Sequence, residues 1–284
     1  MDTKVSATGA FAVPANARVY DSITKANVGD RGCSVLAMSH GGAYCAHLAL
    51  KSGLAGVILN DAGVGRAEAG IAALPLLEAA GIPALTLSHA TARIGDGTHA
   101  LAHGFVSHAN GPAKIAGLAP GMAAHAALVA MAALQVDDST AAHAAPAEEH
   151  RCDVTAQAPG PHQVITMDSA SLMQPQDAGQ IVITGSHGGL LGGNPQSAAR
   201  VAVHAAIYND AGVGCDHAGI SRLPALEARG IAAACVSHTS ARIGDGRSTF
   251  EDGIVSHLNG PARACGGEVG EPCRDLIAKL QGRR

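Results

Sequence analysis

The sequence predicts an α/β protein made by tandem duplication of two Rossmann-like or flavodoxin-like parallel-sheet units, related by a pseudo-two-fold axis. Two observations support this fold class. Three polar strings occur twice at nearly fixed spacing, and short apolar runs that end in glycine or Ser-His alternate with stretches of helical periodicity. Strands that alternate with helices are typical of a parallel sheet covered by helices on both faces.

The duplication is visible in the polar strings themselves. They are Ser-His-Gly-Gly, Asn-Asp-Ala-Gly-Val-Gly and a longer string that contains Ala-Arg-Ile-Gly-Asp-Gly. The sequence separates His40 from His187 by 147 positions and Asp61 from Asp210 by 149, so one two-residue insertion accounts for the difference. What repeats letter for letter is polar and Gly-rich, whereas the apolar stretches have drifted. This pattern indicates selection on a site rather than on a core.

The chain divides into an N-terminal arm (1–16), a first repeat (17–135), a linker (136–161) and a second repeat (162–284). The linker carries Asp, Ser, Thr, Glu, Pro and Ala without periodicity. The predicted strands are 34–38, 56–59, 83–87 and 104–107 in the first repeat, and 180–184, 204–208, 231–236 and 253–256 in the second. The predicted helices are 43–52, 68–80 and 120–134, and then 196–203, 217–229 and 272–280.

Composition excludes several classes of function. The net charge is −4, only 2% of residues are aromatic and there is no Trp, which disfavours nucleic-acid binding. No apolar run reaches the roughly 18 residues of a membrane span, and the N-terminus does not read as a signal peptide. Seven Cys without CxxC spacing fit reduced thiols in the cytoplasm. We expect a cytoplasmic protein with a small-molecule substrate, no nucleic-acid or membrane partner, and a homo-oligomeric state in which the Ala-rich helix 120–134 packs against another subunit.

The repeated strings follow predicted strands, and ligands of parallel sheets bind outside the carboxyl ends of strands. Histidine and aspartate there suit acid–base work. The predicted catalytic residues are His40, His187, His89, His238, Asp61 and Asp210. The predicted substrate-binding residues are Ser39, Gly41, Gly42, Ser186, Gly188, Gly189, Asn60, Asn209, Arg93, Arg242, Ser88 and Ser237. A divalent metal, zinc or manganese, is an alternative, with His108, His257, Asp96 and Asp245 as ligands.

Each string also has a structural explanation. Ser-His-Gly-Gly is also compatible with a tight turn in which Ser caps the helix and glycine supplies a positive φ. Asn-Asp-Ala-Gly-Val-Gly is either an Asx-turn or an anion cradle of backbone N–H groups. Arg93 and Arg242 suit an anion clamp or a salt bridge to a neighbouring Asp. Asn110 and Asn259 begin Asn-Gly-Pro-Ala, most simply a turn entering a helix, although they are expected at the same edge.

Residues without a counterpart in the other repeat are weaker candidates. His99 stands opposite Ser248, so its metal-like spacing is treated as incidental. Cys215 stands opposite Arg66, and Cys45 is not duplicated either, which disfavours a cysteine nucleophile.

The function predicted from these residues is hydrolysis of a C–N bond, amide or cyclic amide, in a small polar, anionic metabolite, using His, Asp and Arg loops at the junction of two homologous halves. Duplicated loops are also compatible with two equivalent sites, but the differences between the halves favour specialisation. The alternatives are an isomerase or racemase with opposed acid and base groups, and a non-catalytic small-anion binding protein. Two-lobed racemases and duplicated ring-opening amidohydrolases are similar in their pseudo-symmetric repeats, but their paired Cys or their Lys and Ser are not reproduced here.

Overall fold

The computed structural model describes residues 11–134 and 148–282. Most of the predicted N-terminal arm and the first half of the predicted linker therefore lie outside the described residues. The chain forms two compact units. The first comprises Met1–Asp61, Gly70–Ala147 and Gly214–Asp216, and the second comprises Ala62–Ala69, Glu148–Val213 and His217–Arg284. Each unit thus contains a short loop that the sequence places in the other repeat.

The first unit contains a five-stranded mixed sheet. Its strands are β1 (Ala17–Tyr20), β2 (Ser34–His40), β3 (Gly56–Asn60), β4 (Ala84–Leu87) and β5 (Val106–Ala109), in spatial order β1-β2-β3-β4-β5. The first four strands are parallel and β5 is antiparallel to β4. Its helices are α1 (Ala43–Lys51), α2 (Ala73–Ala79), α3 (Gly97–His103), α4 (Gly111–Ile115) and α5 (Ala124–Ala132).

Helices cover both faces of this sheet, as the sequence predicts. Successive strand residues point to opposite faces, so Val35 and Ala37 pack with α1 and α2. Leu36 and Met38 pack on the other face with α3, α4 and α5. The apolar run at residues 35–38 of β2 follows from this burial on both faces.

The second unit contains a six-stranded mixed sheet. Its strands are β6 (Arg151–Asp153), β7 (Val164–Met167), β8 (Ile181–His187), β9 (Ala205–Asn209), β10 (Ala232–Val236) and β11 (Val255–Leu258), in the order β11-β10-β9-β8-β7-β6. The inner strands are parallel, while β6 and β11 are antiparallel edge strands. Its helices are α6 (Arg222–Glu227), α7 (Gly246–Glu251), α8 (Gly260–Ala264) and α9 (Cys273–Leu280). No helix within the described ranges is long and apolar enough to cross a membrane.

The α/β class is confirmed, but the strand order differs from both predicted variants. Rossmann and flavodoxin sheets have the orders 3-2-1-4-5-6 and 2-1-3-4-5, with a switch point, whereas these strands lie side by side in chain order. The last strand of each sheet in chain order, β5 or β11, is also antiparallel to its neighbour. In the first unit the Ser88 N–H, just after the end of β4, donates to the Phe105 carbonyl, just before β5 (2.9 Å). The chain therefore returns to the sheet beside the C-terminal end of β4.

Two local predictions are wrong. Predicted helix 196–203 is replaced by a single 3-10 turn at Pro195–Ser197, because the buried Arg222 side chain donates to the carbonyl groups of Gly189, Ser197 and Ala198 and holds the segment as a loop. The described end of the predicted linker is not irregular either, since it contains edge strand β6.

Candidate active site

The carboxyl edge of the first sheet gathers the predicted catalytic residues of that unit. Strand β2 ends at His40, Asp61 follows β3, and His89 follows β4 by two residues. The three strands are neighbours and parallel, and His40 lies opposite Asn60 in register. His40, Asp61 and His89 therefore lie at one edge of this sheet.

Asp61 and His89 form a hydrogen-bonded dyad. One carboxylate oxygen of Asp61 accepts both the backbone N–H and the Nδ1–H of His89, each at 2.9 Å. The Asp61 side chain is only 4% exposed, while that of His89 is 32% exposed. Because a carboxylate only accepts, Nδ1 carries the proton and the lone pair of the neutral ring lies on Nε2. This is the tautomer of a general base.

The second unit repeats this dyad with Asp210 and His238. The same two bonds measure 2.9 Å each, and the side chains are 5% and 24% exposed. The Gly212 N–H donates to the same oxygen at 3.0 Å. Burial, the largest single influence, raises the pKa of Asp210, but hydrogen bonds from His238 and Ser256 outweigh it and leave the pKa below its usual range. The carboxylate is therefore ionised at neutral pH.

His40 and His187 have the opposite tautomer. Nδ1 of His40 accepts the Gly42 N–H at 3.1 Å, and Nδ1 of His187 accepts the Gly189 N–H at 3.1 Å. The neutral ring therefore carries its proton on Nε2. Burial lowers the pKa of His40 to about 4, so this ring is neutral at pH 7. It is a hydrogen-bond donor rather than a base.

The low pKa of His40 predicts that acid destabilises the protein. An ordinary histidine titrates at 6.5, so between pH 6.5 and about 4 the unfolded chain binds more protons than the folded one. The free energy of unfolding should therefore fall with falling pH, by at most about 3 kcal/mol for this group. Urea unfolding of wild type and His40→Asn at about pH 7 and about pH 4 measures it. The Asn oxygen can still accept the Gly42 N–H, so the variant should lose less stability on acidification; an equal loss would contradict the assignment.

Each unit thus holds an Asp-oriented histidine base and, on the same sheet edge, a histidine that presents an N–H. In the first unit burial keeps that donor uncharged. A neutral imidazole N–H polarises a carbonyl or stabilises an oxyanion, while the base moves a proton. This combination is suited to addition of water to a carbonyl or to proton transfer next to one.

In each unit a loop donates a backbone hydrogen bond to the carbonyl of the dyad histidine. In the first unit the Cys215 N–H donates to the His89 carbonyl (2.9 Å), and in the second the Arg66 N–H donates to the His238 carbonyl (2.8 Å). Glycine precedes each donor because a side chain there would lie 2.9 Å from that same carbonyl oxygen. The sequence shows these glycines as part of a repeated string, but not that they abut the dyads.

The Asn-Asp-Ala-Gly-Val-Gly segments have an unusual backbone. Ala62, Gly63, Val64 and Gly65 all have positive φ (48°, 74°, 63° and 71°), and residues 211–214 repeat this almost to the degree. Positive φ is rare for a β-branched residue such as Val64. Strain of this kind clusters at functional sites and persists only where the surroundings impose it.

In the second unit the backbone N–H groups of this string donate to acceptors within the same string. Those of Ala211 and Gly212 donate to the side chains of Asn209 (2.9 Å) and Asp210 (3.0 Å), and that of Val213 donates to the Asp210 carbonyl (2.7 Å). These bonds favour the Asx-turn over the anion cradle, because the N–H groups point to the chain's own acceptors.

Asn60 and Asn209, predicted to bind substrate, hold the dyad loops instead. Each is buried and donates through its amide nitrogen to a carbonyl of the loop after the dyad histidine, Ala92 at 3.0 Å and Ala241 at 3.1 Å.

The predicted substrate-binding serines also make local bonds. Ser39 and Ser186 accept the N–H groups of Ile23 (3.1 Å) and Ala170 (2.9 Å), which fixes the loop after the preceding strand. Ser88 and Ser237 each accept the N–H two residues further on, at 3.2 Å, and so close the turn that carries the dyad histidine.

The first glycine of Ser-His-Gly-Gly is required for close packing. A methyl group at Gly41 would lie 2.5 Å from the Gly70 carbonyl oxygen, and one at Gly188 would lie 2.6 Å from both the Gly219 carbonyl oxygen and the Cys235 sulfur. Neither glycine has a positive φ, so the turn explanation of this string is wrong in that respect.

Gly188→Ala should destabilise the protein by about 2 kcal/mol or more, because backbone and a buried side chain must both move. Chemical denaturation measures the change. Gly230→Ala is the control, since that glycine has a φ of 68° and open space around it, so it isolates backbone strain of about 1 kcal/mol. A Gly188→Ala protein that is no less stable than the control would contradict the packing argument.

Arg93 and Arg242 form salt bridges, which supports that alternative over a free anion clamp. Nε of Arg93 lies 2.8 Å from Asp216, and a second contact reaches Asp96 at 3.7 Å. Arg242 contacts Asp245 at 2.7 Å. Both arginine side chains remain 42–45% exposed.

The residues predicted as metal ligands are placed in structural roles. Asp96 caps α3 and Asp245 caps α7 through their side-chain oxygens. His108 and His257 lie within β5 and β11, where each Nδ1 is 3.1 Å from the hydroxyl of the preceding serine. Within the described residues, none of these four belongs to a group of three potential metal ligands.

A different group, His99, Cys215 and Asp216, places its ligand atoms within 4.8 Å of one another. Nδ1 of His99 accepts the Arg93 N–H (3.3 Å), so the neutral ring carries its proton on Nε2, 3.8 Å from Asp216. The Arg93 guanidinium contacts the same Asp216 oxygen. A cation would have to displace this proton and compete with Arg93, so the group fits an ion-pair network better than a metal site. The sequence did not reveal it, because neither His99 nor Cys215 is duplicated.

Asn110 and Asn259 lie away from the carboxyl edge, contrary to prediction. Because β5 is antiparallel, its end lies beside the start of β4, where Asn110 accepts the Ala84 N–H (3.0 Å) and caps α4. Asn259 makes the equivalent bond to the N–H of Ala233 (2.9 Å).

Comparison of the chain with models of protein families, with curated proteins and with solved structures found no match. Function is therefore inferred from the two dyads and from His40 and His187.

Proposed function

We propose that this chain is a hydrolase that cleaves a C–N bond, of an amide or cyclic amide, in a small polar metabolite. The observation that carries the proposal is the Asp–His dyad with its basic nitrogen directed away from the carboxylate, present in both units. It is accompanied on the same sheet edge by a histidine whose Nε2 carries a proton.

In the proposed reaction of the first unit, Nε2 of His89 takes a proton from a water molecule while the water oxygen attacks the carbonyl carbon of the substrate. The developing oxyanion accepts the Nε2–H of His40. The protonated His89 then gives its proton to the nitrogen as the C–N bond breaks, leaving a carboxylic acid and an amine. Asp61 stays ionised and stabilises the imidazolium. In the second unit His238, His187 and Asp210 have the same roles.

The anionic character of the substrate is proposed from Arg93 and Arg242. Each lies on the loop after a dyad histidine, and each guanidinium is half exposed while paired to a surface carboxylate. A substrate carboxylate can exchange with such a partner, since exposed ion pairs are weak.

A second candidate is an isomerase or racemase that works by proton abstraction next to a carbonyl. It is favoured by the low pKa of His40, because a neutral imidazole N–H is matched to a developing enolate. Deuterium incorporation from heavy water at a carbon of recovered substrate would identify this reaction, whereas hydrolysis puts solvent oxygen into the product.

The test is incubation of the purified full chain with a panel of cyclic and linear amides that carry a carboxylate, followed by NMR. We expect consumption of a cyclic amide with formation of the ring-opened acid. The activity of the double variant His89→Gln/His238→Gln should be lower by about 10²-fold or more. No consumption of any panel member, or equal activity of the double variant, would overturn the proposal.

A further inference from the structure

The turn that carries His238 is bonded twice by one residue of the loop at 62–69. This loop belongs to the second unit, and the Arg66 N–H donates to the His238 carbonyl at 2.8 Å. The Arg66 side chain adds a second bond, because its Nη1 donates to the Ser240 carbonyl at 2.5 Å. Arg66 therefore joins the loop to the turn at two carbonyl groups, two residues apart.

The guanidinium of Arg66 also has a carboxylate nearby. Its Nη1 lies 3.5 Å from one oxygen of Asp252, just after α7, and the other oxygen accepts the Ser248 hydroxyl at 2.8 Å. The Arg66 side chain is 41% exposed, so this ion pair alone contributes little. The bond to the Ser240 carbonyl is therefore the side-chain contact that acts on the turn, and its donor is charged, which strengthens it.

The same loop contacts the His238 ring through Gly63. A methyl group at Gly63 would lie 2.9 Å from Cδ2 and 3.0 Å from Nε2 of His238, too close for a side chain of any kind. These two ring atoms lie across the ring from Nδ1, which donates to Asp210 at 2.9 Å. The ring is thus contacted by Gly63 at one end and by Asp210 at the other.

The loop keeps an unfavourable backbone while it makes these contacts. Six of the seven residues from 62 to 68 have positive φ, among them Ala67 (54°) and Glu68 (57°). Residues other than glycine rarely adopt this region, and such a backbone persists only where its surroundings impose it. The bonds to the His238 turn are part of those surroundings, so the loop and the turn stabilise each other.

We propose that Arg66 and Gly63 are positioning residues for the His238 base. The Arg66 guanidinium holds the turn that carries the ring, and Gly63 limits the movement of the ring itself, so that Nδ1 stays aligned with Asp210. Neither residue touches substrate in this role. The inference rests on the proposed function for its effect on kcat, whereas its structural consequence is measured without a substrate.

The first unit has no guanidinium at the equivalent place. Cys215 is the counterpart of Arg66, and its N–H makes the same bond to the His89 carbonyl (2.9 Å), but a thiol is only a weak donor. The side-chain link of that loop is made by Asp216, which accepts from Nε of Arg93 at 2.8 Å. The role proposed for Arg66 is therefore specific to the second unit, and the His89 turn is an internal reference.

The test is Arg66→Ala in the full chain, with Arg66→Lys as the variant that keeps a cationic donor. Backbone amide exchange is the readout, because the His238 N–H donates to Asp210 and the His89 N–H to Asp61, each at 2.9 Å. Loss of one hydrogen bond of ordinary net strength should speed exchange of the His238 N–H about 2- to 10-fold. The His89 N–H should be unaffected, and Arg66→Lys should stay close to wild type.

Arg200→Ala is the matched control. Nη1 of Arg200 also donates to a backbone carbonyl in the second unit, that of Ser171 (3.2 Å), on a turn without a dyad residue. This variant should leave exchange of both histidine N–H groups unchanged. Equal acceleration of the His238 and His89 N–H groups in Arg66→Ala would indicate a general loss of stability. That result, or unchanged exchange of the His238 N–H, would overturn the proposal for Arg66.

The contact of Gly63 is tested by Gly63→Ala, with Gly81→Ala as its control. The two glycines have nearly the same φ, 74° and 72°, but Gly81 has open space around it. The added methyl group should push the His238 ring out of line with Asp210. The ring Nδ1–H, assigned by its loss in His238→Gln, should then exchange about 2- to 10-fold faster in Gly63→Ala and as in wild type in Gly81→Ala. Equal exchange in the two variants would contradict the role of Gly63.

The kinetic arm uses a His89→Gln background, so that turnover comes from the second unit. There Arg66→Ala should lower kcat about 10- to 100-fold, the effect of a misplaced catalytic group. KM should change little, because the side chain bonds the turn and not the substrate, and Arg66→Lys should restore most of kcat. A raised KM with unchanged kcat would mark Arg66 as a substrate contact and contradict the positioning role. A protein without any turnover, but with faster exchange of the His238 N–H in Arg66→Ala, would refute the hydrolase and leave the positioning role supported.

Discussion

Joint replacement of His89 and His238 by Gln is expected to lower kcat by about 10²–10⁴-fold, the usual contribution of a positioned general base. Gln retains a polar group of similar length but has no basic nitrogen. Both dyads must be removed, because each unit contains a complete Asp–His pair. Steady-state kinetics on an amide substrate measures the loss, and the two single variants show which unit carries the turnover.

His150→Gln is the matched control for this experiment. Nδ1 of His150 lies 3.0 Å from an Asp168 oxygen, and that oxygen also accepts the His150 backbone N–H at 2.8 Å, so the local bonding copies a dyad. The His150 side chain is 72% exposed, however, and it precedes an edge strand. Its replacement should leave kcat unchanged. A comparable loss in His150→Gln, or none in the double variant, would mean that the dyads are structural.

Joint replacement of Asp61 and Asp210 by Asn should lower kcat by a similar factor, about 10²–10⁴-fold, by a different route. One oxygen of each carboxylate accepts both N–H groups of its histidine, so the Asn oxygen in that place can keep both bonds and the tautomer. The negative charge that stabilises the imidazolium is removed, so the base is weakened although its ring and its tautomer remain. Kinetics measures the loss, and ring ¹⁵N NMR reports the tautomer.

Combination with the histidine replacements sharpens this prediction. If Asp61 and Asp210 act only through His89 and His238, the quadruple variant should be no slower than the histidine double variant. Multiplication of the two losses would show that the carboxylates have a role of their own and would contradict the dyad account.

Much of the architecture could be predicted because it depends on local patterns. Apolar runs of four to six residues formed strands that are buried throughout, as in β3 and β9. Gly81 and Gly230 follow their helices with positive φ, as predicted. Strand order and direction could not be predicted. They depend on long-range bonds such as that from Ser88 to Phe105, and the error in the direction of β5 misplaced Asn110.

The candidate site was also predictable only in part. The sequence identified Asp61, His89 and His40 as chemically unusual, but not which atoms meet. Pairing fixes the tautomers, and the tautomers separate a base from a donor among histidines that look alike in sequence. The polar residues Ser39 and Asn60 were predicted to bind substrate because they share the repeated strings. Their bonds show that such strings also carry the residues that hold the loops.

The most direct test of the central claim is ring ¹⁵N NMR of the wild-type chain at about pH 7, with each histidine assigned by its Gln variant. We predict a protonated Nδ1 in His89 and His238. In His40 and His187 we predict a protonated Nε2 and an unprotonated Nδ1. The same protonated nitrogen in all four rings would contradict a division into two bases and two donors.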